Sequence, residues 1–84
     1  MDYDVCLHPK ARRELEALSS AVQRRLGDAI AELAANPRPH GYIKLTDIEL
    51  YRIRVGEYRI VYAIHDDILT VLVVRIAARK DAYR

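Results

Sequence analysis

The hydrophobic and polar residues of this chain follow two periods, which predict two kinds of element. Residues 2–7, DYDVCL, alternate apolar with polar side chains, as a short β-strand does. The next segment, PKARRELEAL, begins with a proline suited to the first turn of a helix and carries apolar residues at helical spacing. A second helical stripe runs from Val22 to Leu33 and stops at Asn36-Pro37. Two helices joined by a short turn predict an antiparallel helical hairpin.

Cap and loop signals separate these helices from the rest of the chain. Ser20, with Gln23 three residues later, matches a capping box, which predicts Ser20 as the N-cap of the second helix. His8 directly precedes Pro9 and is interpreted as the residue that leads into the first helix. The segment NPRPHGY, residues 36–42, is a loop by composition.

Only strand signals follow this loop. The segments LYRIRV, YRIVYAI and ILTVLVVRI are separated by Gly56-Glu57 and Asp66-Asp67, two pairs that suit hairpin turns. The last residues, AARKDAYR, predict a turn or a short helix. The order β-α-α-β-β-β predicts one α+β domain over residues 1–84, with the helical hairpin packed on one face of a small, mainly antiparallel sheet.

The first hairpin carries three arginines among its apolar residues. A two-residue turn at positions 56–57 pairs Arg54 with Arg59 and Arg52 with Val61, so all three arginines project from one face of the sheet. We call this the arginine face. The opposite face is apolar and is the expected packing surface for the helices. Its members are Tyr51, Ile53, Val55, Tyr58, Ile60, Tyr62 and Ile64, joined after the second turn by Leu69, Val71 and Val73.

The arginine face predicts an anion-binding site. Like charges directly opposed on a sheet destabilise it by about 0.2–1 kcal/mol, and a guanidinium fork suits phosphate. The alternative is that these arginines are solvated strand residues that protect the sheet from aggregation. A stand-alone RNA-binding module is disfavoured, because its aromatic residues would have to share a face with the basic ones.

Composition and charge exclude several other classes. The chain is 51% hydrophobic and 31% charged with a net charge of +2, which suits a globular protein. The single cysteine, Cys6, is interpreted as core filler, and with three scattered histidines it gives no zinc-ligand spacing. No phosphate-binding glycine loop, signal peptide or long apolar run is present. We expect a cytoplasmic protein without a cofactor and without membrane contact.

Four segments resemble the RelE/ParE superfamily of bacterial and archaeal toxins, and they follow the order of that family. They are HPKARRELEAL, LAANPRPHGYIKL, YRIRVGEYRIVYAI and VLVVRIAARKDAYR, and the chain is most similar to the RelE branch. The resemblance implies a toxin of a type II toxin–antitoxin pair that enters the ribosomal A site and cleaves mRNA. The ribose 2′-hydroxyl would attack the adjacent phosphate without a metal, and a RelB-like antitoxin would neutralise the otherwise monomeric toxin.

The resemblance also implies roles for individual residues. Arg52 and Arg54 correspond to two basic residues of the first hairpin strand, and Arg59 corresponds to a phosphate-binding arginine of the next. After the last strand, Arg79 would stabilise the charge on the reacting phosphate and Tyr83 would stack on a base. Further contacts to RNA are expected from Lys44 and Lys80.

One departure from the family concerns the base that takes the 2′-hydroxyl proton. The best-known RelE toxin has lysines where this chain has Arg52 and Arg54, and a lysine can act as a base whereas an arginine cannot. Either the arginines act only as electrostatic stabilisers, or another group takes the proton. His40 and His65 titrate in a suitable range but lie in the loop and at the far end of the hairpin. The base is therefore unassigned.

Two other functions share this resemblance. One is a ParE-like toxin that poisons DNA gyrase without nuclease activity, and the other is a degenerate member that only binds its partners. The fold does not separate these alternatives, because function is determined by the site.

Overall fold

Two helices pack on one face of a five-stranded mixed sheet in this computed structural model, which describes residues 2–78. The elements in chain order are β1 (Asp4–Leu7), α1 (Pro9–Glu16), α2 (Ser20–Ala35), β2 (Ile43–Lys44), β3 (Tyr51–Val55), β4 (Tyr58–His65) and β5 (Thr70–Ala78). The strand order is β1-β5-β4-β3-β2, with β1 parallel to β5 and the other pairs antiparallel. The predicted α+β architecture is confirmed.

The edge strand β2 was not predicted. Ile43 and Lys44 pair with Arg52 and Tyr51 of β3, and two residues are too few to show a period of two in the sequence. The expected order of β-α-α-β-β-β therefore lacked one strand. The turn or short helix expected at the C-terminus falls largely on residues 79–84, which lie outside the described residues.

The helix boundaries agree with most of the local signals. Pro9 occupies the first position of α1, and His8 is its N-cap, with Nδ1 accepting a hydrogen bond from the amide of Lys10 at 3.1 Å. Helix α2 ends at Ala35, and Asn36 is its C-cap. The proline that follows accounts for this end, because the residue before a proline avoids helical geometry.

The capping box predicted for α2 was wrong by one residue. The N-cap is Ser19, not Ser20, and its Oγ accepts from the amide of Val22 at 3.3 Å. Gln23 Nε2 donates instead to the carbonyl of Leu18 at 2.8 Å. The connection between the helices is short, so the side chain of Gln23 reaches the carbonyl groups at the end of α1. These carbonyls have no partner within that helix, and the Gln23 amide satisfies them.

The β3–β4 hairpin has the predicted register. Arg54 lies opposite Arg59, and Arg52 lies opposite Val61. Gly56 has a φ of 61°, the left-handed conformation that the first position of a type II′ turn requires. A side chain at Gly56 would also meet the guanidinium of Arg25 from α2, whose Nη2 would lie 2.6 Å from the added Cβ.

The second hairpin differs from the prediction. The connection is not a two-residue turn at Asp66-Asp67 but a 3₁₀ turn over Asp66–Ile68, followed by Leu69 with a φ of 49°. Leu69 consequently lies outside the strand and does not join the apolar face, as had been expected. Neither aspartate favours the left-handed conformation of a tight hairpin turn as glycine does, so the chain uses a longer connection.

A β-bulge in the pairing of β4 with β5 changes which residues of β5 face the core. Val61 of β4 pairs with Arg75 and Tyr62 pairs with Val73, so Val74 is the extra residue of the bulge. The alternation of buried and exposed side chains along β5 therefore shifts by one residue at Val74. Without the shift, the alternation that buries Val73 would continue to Arg75. The bulge places Ile76 in the core instead, where it is 3% exposed.

The core lies between the helices and strands β3 to β5. Tyr62 is fully buried within it and donates a hydrogen bond from its hydroxyl to the carbonyl of Pro37 at 2.7 Å. Burial raises the pKa of Tyr62 to about 12. The buried members of the core are Ala11, Leu26, Ile30, Leu33, Ile53, Ile60, Tyr62, Val71, Val73 and Ile76.

The interpretation of Cys6 as core filler was wrong. The alternation of β1 turns Tyr3, Val5 and Leu7 toward the core, and Cys6 lies on the other side of the strand, where it is exposed. The error came from treating a generally buried residue type as buried without applying the period of two.

We predict that Gly56→Ala lowers the free energy of unfolding by about 1–2 kcal/mol, because an alanine is strained at a positive φ. Urea denaturation measures the change. Gly27→Ala is the matched control. Gly27 lies in α2 with open space around it, so this variant should gain roughly 0.5–1 kcal/mol. Equal stability of Gly56→Ala and the wild type would contradict the assigned turn.

Candidate functional site

The three arginines of the first hairpin lie on one face, as predicted, but they differ in exposure. Arg52 is 8% exposed and Arg59 is 4% exposed, whereas Arg54 is exposed. Arg59 lies in the middle of the sheet, flanked across the neighbouring strands by Arg54 and Ala77. The alternative of fully solvated strand arginines does not fit Arg52 and Arg59, which are set into the sheet surface.

Burial of two arginines makes their positive charge costly in free energy. A guanidinium remains charged at any physiological pH, and its transfer out of water costs free energy unless an anion or hydrogen-bond acceptors offset it. The Nε atom of Arg52 is enclosed and has no hydrogen-bond partner within residues 2–78. An incoming phosphate oxygen is the kind of acceptor that such a group requires.

A cavity of about 410 Å³ opens beside two of these arginines. Arg52 and Arg54 line it together with His40 and Gly41 from the loop that follows α2. Its size is within the range of small-ligand sites, about 300–1,000 Å³. The structure thus brings His40 to the arginine face, although the two regions are separate in the sequence.

The loop that carries His40, residues 36–42, is tied to the sheet. Arg38 makes a bidentate ion pair with Asp66, with Nη2–Oδ2 and Nη1–Oδ1 distances of 2.8 Å and 3.3 Å. The Tyr3 hydroxyl donates to the same carboxylate at 2.5 Å. Together with the bond from Tyr62 to the Pro37 carbonyl, these contacts fix the first half of the loop.

The pKa values in this cluster follow from its hydrogen bonds. The bonds from Arg38 and then Tyr3 lower the pKa of Asp66 to about 2. The bond to Asp66 raises the pKa of Tyr3, and the same carboxylate raises the pKa of Arg38. The cluster therefore holds its charges throughout the physiological range.

The other predicted residues are distributed differently. Lys44 pairs with Tyr51, so the register places it on the face opposite the arginines, with its Nζ 3.6 Å from Glu49 Oε1. His65 ends β4, at the far end of the hairpin from its turn, and is exposed. Three more residues, Arg79, Lys80 and Tyr83, lie outside the described residues.

Sequence reasoning did not single out Glu14. Its carboxylate accepts from Arg75 Nε at 3.2 Å and from the amide of Ile76 at 2.8 Å. The second bond satisfies an amide of β5 beyond the last residue that pairs with β1. Glu14 thereby holds α1 against the end of β5. Neither contact has a sequence signal, since Glu14 and Ile76 are 62 residues apart.

Neither a metal centre nor a membrane-spanning helix is evident within residues 2–78. No group of three or more His, Cys, Asp or Glu side chains in this range is placed to hold a metal ion. No helix in the same range has the length and apolar character needed to cross a membrane.

Comparison with known proteins gives consistent matches over nearly the whole chain. The family model for the ParE toxin of type II toxin–antitoxin systems matches residues 5–83. The RelE1 protein of Methanocaldococcus jannaschii is 25% identical over 88 residues, which cover 100% of this chain and 98% of the relative.

Solved structures of RelE toxins share the fold. The archaeal RelE–RelB complex from Pyrococcus horikoshii OT3 matches with 28% identity and a TM-score of 0.84, covering 98% of this chain and 100% of that one. The RelBE2 toxin–antitoxin complex from Mycobacterium tuberculosis matches with 26% identity and a TM-score of 0.85, covering 94% of this chain and 100% of that one.

The fold and the family match define the class of this protein, which is a toxin of a type II toxin–antitoxin system. Within that class the chain belongs to the RelE/ParE toxin family. The resemblance inferred from the sequence is confirmed at this level.

We predict that Asp66→Asn removes part of the acid sensitivity of the fold. The pKa of Asp66 in the folded protein is about 2, below its ordinary 3.8, so its ion pair stabilises the fold above about pH 4 and is lost as the pH falls toward 2. The variant should melt at a lower temperature than the wild type at neutral pH, and the difference should shrink as the pH falls through 2.

Thermal melts followed by circular dichroism test this prediction, with Asp67→Asn as the matched control because it removes the same charge from the neighbouring position. The control should retain the pH dependence of the wild type. A constant difference in melting temperature between Asp66→Asn and the wild type from neutral pH to pH 2 would be incompatible with the assigned ion pair.

Proposed function

We propose that this toxin is a metal-independent endoribonuclease that cleaves mRNA in the ribosomal A site by attack of the ribose 2′-hydroxyl on the adjacent phosphate. The observation that supports it best is the arginine face, where Arg52 and Arg59 are set into the sheet and Arg54 stands exposed beside a cavity. The similarity to RelE toxins along the whole chain supports the same function.

Arg59 is the arginine best placed to stabilise the reacting phosphate. Its stem is enclosed between the neighbouring strands, so the guanidinium loses little conformational freedom when a phosphate binds. Charge that develops on the phosphate is stabilised most strongly by a fixed cation in a low-dielectric setting. Arg52 and Arg54 bind the flanking phosphates in this proposal and act only as electrostatic stabilisers.

Three residues enter the proposal through the family resemblance alone. Arg79 would supply a second guanidinium to the phosphate, and Tyr83 would stack on a base to hold the backbone in line for attack. Lys80 would contact RNA. Lys44, on the exposed edge strand and the other face, would contact RNA outside the cavity.

The proposed partners are a cognate RelB-like antitoxin and the ribosome with its mRNA. Two of the similar solved structures are toxin–antitoxin complexes, which supports an antitoxin for this chain. The surface around β2 also suits a protein partner, because Tyr42, Ile43 and Ile48 are large apolar residues with 36–48% of their surface exposed.

A ParE-like gyrase poison is the second candidate. The matching family model is the one for the ParE toxin, and this chain lacks the lysines that would serve as bases in the nuclease. A member that only binds its partners would show neither activity. These three functions predict different results in one set of assays.

We predict that the purified protein cleaves a defined mRNA only when the mRNA is threaded in a ribosome, and primer extension maps the cut. Arg59→Ala should lower the single-turnover rate by about 10²–10³, because it removes a cation that stabilises developing charge. Arg59→Lys keeps the positive charge but loses the planar guanidinium that donates two parallel hydrogen bonds, so its rate should lie between those of the wild type and Arg59→Ala. Arg79→Ala and Tyr83→Ala should also slow cleavage, whereas Tyr83→Phe keeps the stacking ring and should cleave close to the wild-type rate.

Arg24→Ala is the matched control, since Arg24 is exposed on α2 and should leave the rate unchanged. Circular dichroism confirms that each variant is folded. Absence of cleavage on the ribosome, from a protein that still arrests growth, would refute the nuclease. Inhibition of gyrase supercoiling by that protein would then establish the ParE-like function.

A further inference from the structure

The proposed cleavage needs a group that accepts the 2′-hydroxyl proton, and neither Arg52 nor Arg54 can be that group. One histidine, His40, lines the cavity that these two arginines also line. We propose that His40 is the general base of this toxin, an inference that rests on the proposed nuclease function.

The position of His40 is set by a well-anchored loop. On its N-terminal side, the Pro37 carbonyl accepts from the buried Tyr62 hydroxyl, and Arg38 is held by its bidentate ion pair. On its C-terminal side, the amide of Tyr42 donates to the Pro39 carbonyl at 3.0 Å, which closes a turn around His40.

Two backbone features direct this turn toward the arginines. Gly41 has a φ of 91°, a conformation that a side chain would strain, so the chain can reverse sharply directly after His40. Ile43 then pairs with Arg52 in the sheet, which brings the end of the loop against β3. His40 is therefore held at the cavity by the residues on both sides of it.

The charged residues around His40 suit the binding of an anionic RNA backbone beside it. The charged side chains that line the cavity with it are Arg52 and Arg54. The nearest charges in its own segment are Arg38, paired with Asp66, and Lys44, paired with Glu49. No carboxylate lines the cavity within the described residues, so the cations there attract the phosphate while the imidazole supplies the lone pair.

The other histidines are occupied or distant. His8 uses its Nδ1 to cap α1, and His65 is exposed at the end of β4 beside the second hairpin connection. An imidazole is the only unperturbed side chain that changes charge between pH 5 and 8, and it is the most frequent general base in enzymes.

The step balances without a further reagent. The neutral imidazole of His40 takes the proton of the 2′-hydroxyl as the 2′-oxygen forms a bond to phosphorus. The bond from phosphorus to the 5′-oxygen breaks, and the leaving oxygen takes a proton from water. The imidazolium then returns its proton to the hydroxide formed. The products are a 2′,3′-cyclic phosphate and a 5′-hydroxyl, with no net gain or loss of protons.

The test is single-turnover cleavage on mRNA-programmed ribosomes as a function of pH, with the wild type, His40→Ala, His40→Gln and His65→Gln. Both His40 variants should lose about 10²–10⁴ in rate while binding programmed ribosomes within about two-fold of the wild type. The fall in rate on the acid side of neutrality should disappear with His40, and added imidazole should restore cleavage by His40→Ala. His65→Gln is the matched control and should keep the wild-type rate and pH profile.

The result separates this inference from the function on which it rests. A wild type that cleaves, with His40→Gln cleaving at the same rate or keeping the acid limb of the profile, would overturn the role of His40 and leave the nuclease intact. A wild type that does not cleave on the ribosome would overturn both.

Discussion

The two-residue turn at Gly56 sets the pairing of β3 with β4, and the character of both sheet faces depends on that pairing. It sets Arg54 against Arg59 on one side and Ile53 against Ile60 on the other. Because side chains alternate, a slip of one residue would bring the arginines into the core and expose the isoleucines. Burial of the apolar face therefore fixes the register of the hairpin, and the register in turn fixes the positions of the arginines.

The same core also positions the loop that lines the cavity. Tyr62 is packed among core residues through its ring, and its hydroxyl fixes the Pro37 carbonyl at the start of the loop that carries His40. The ion pair between Arg38 and Asp66 adds a second attachment on the surface, where screening by water limits its contribution to stability. Burial of one tyrosine thus links core packing to the geometry of the candidate site. A loop fixed in this way keeps its shape better than one held by surface charges alone.

Period-two alternation and one glycine turn were sufficient to predict the register of the first hairpin, its arginine face and its helix-packing face. The features that were missed depend on contacts between distant parts of the chain. Strand β2 is formed by the pairing of Ile43 with Arg52 of β3. Leu69 lies outside β5 because the second hairpin connection has no residue suited to a tight turn. His40 reaches the arginines through anchors more than twenty residues away in sequence, which no local pattern records.

The burial of Arg52 and Arg59 has a consequence for stability as well as for function. A charged guanidinium enclosed in a small fold is less favourable than an apolar residue of similar size, and a chain of 84 residues has a small margin of stability. Any anion that binds the folded state at this face offsets that cost and stabilises the fold by mass action. In the proposed function an RNA phosphate would do so during cleavage, and an anionic group of the antitoxin could do so in the complex. Under the same proposal the two would therefore compete for the same face of the sheet, and substrate binding and inhibition would exclude each other.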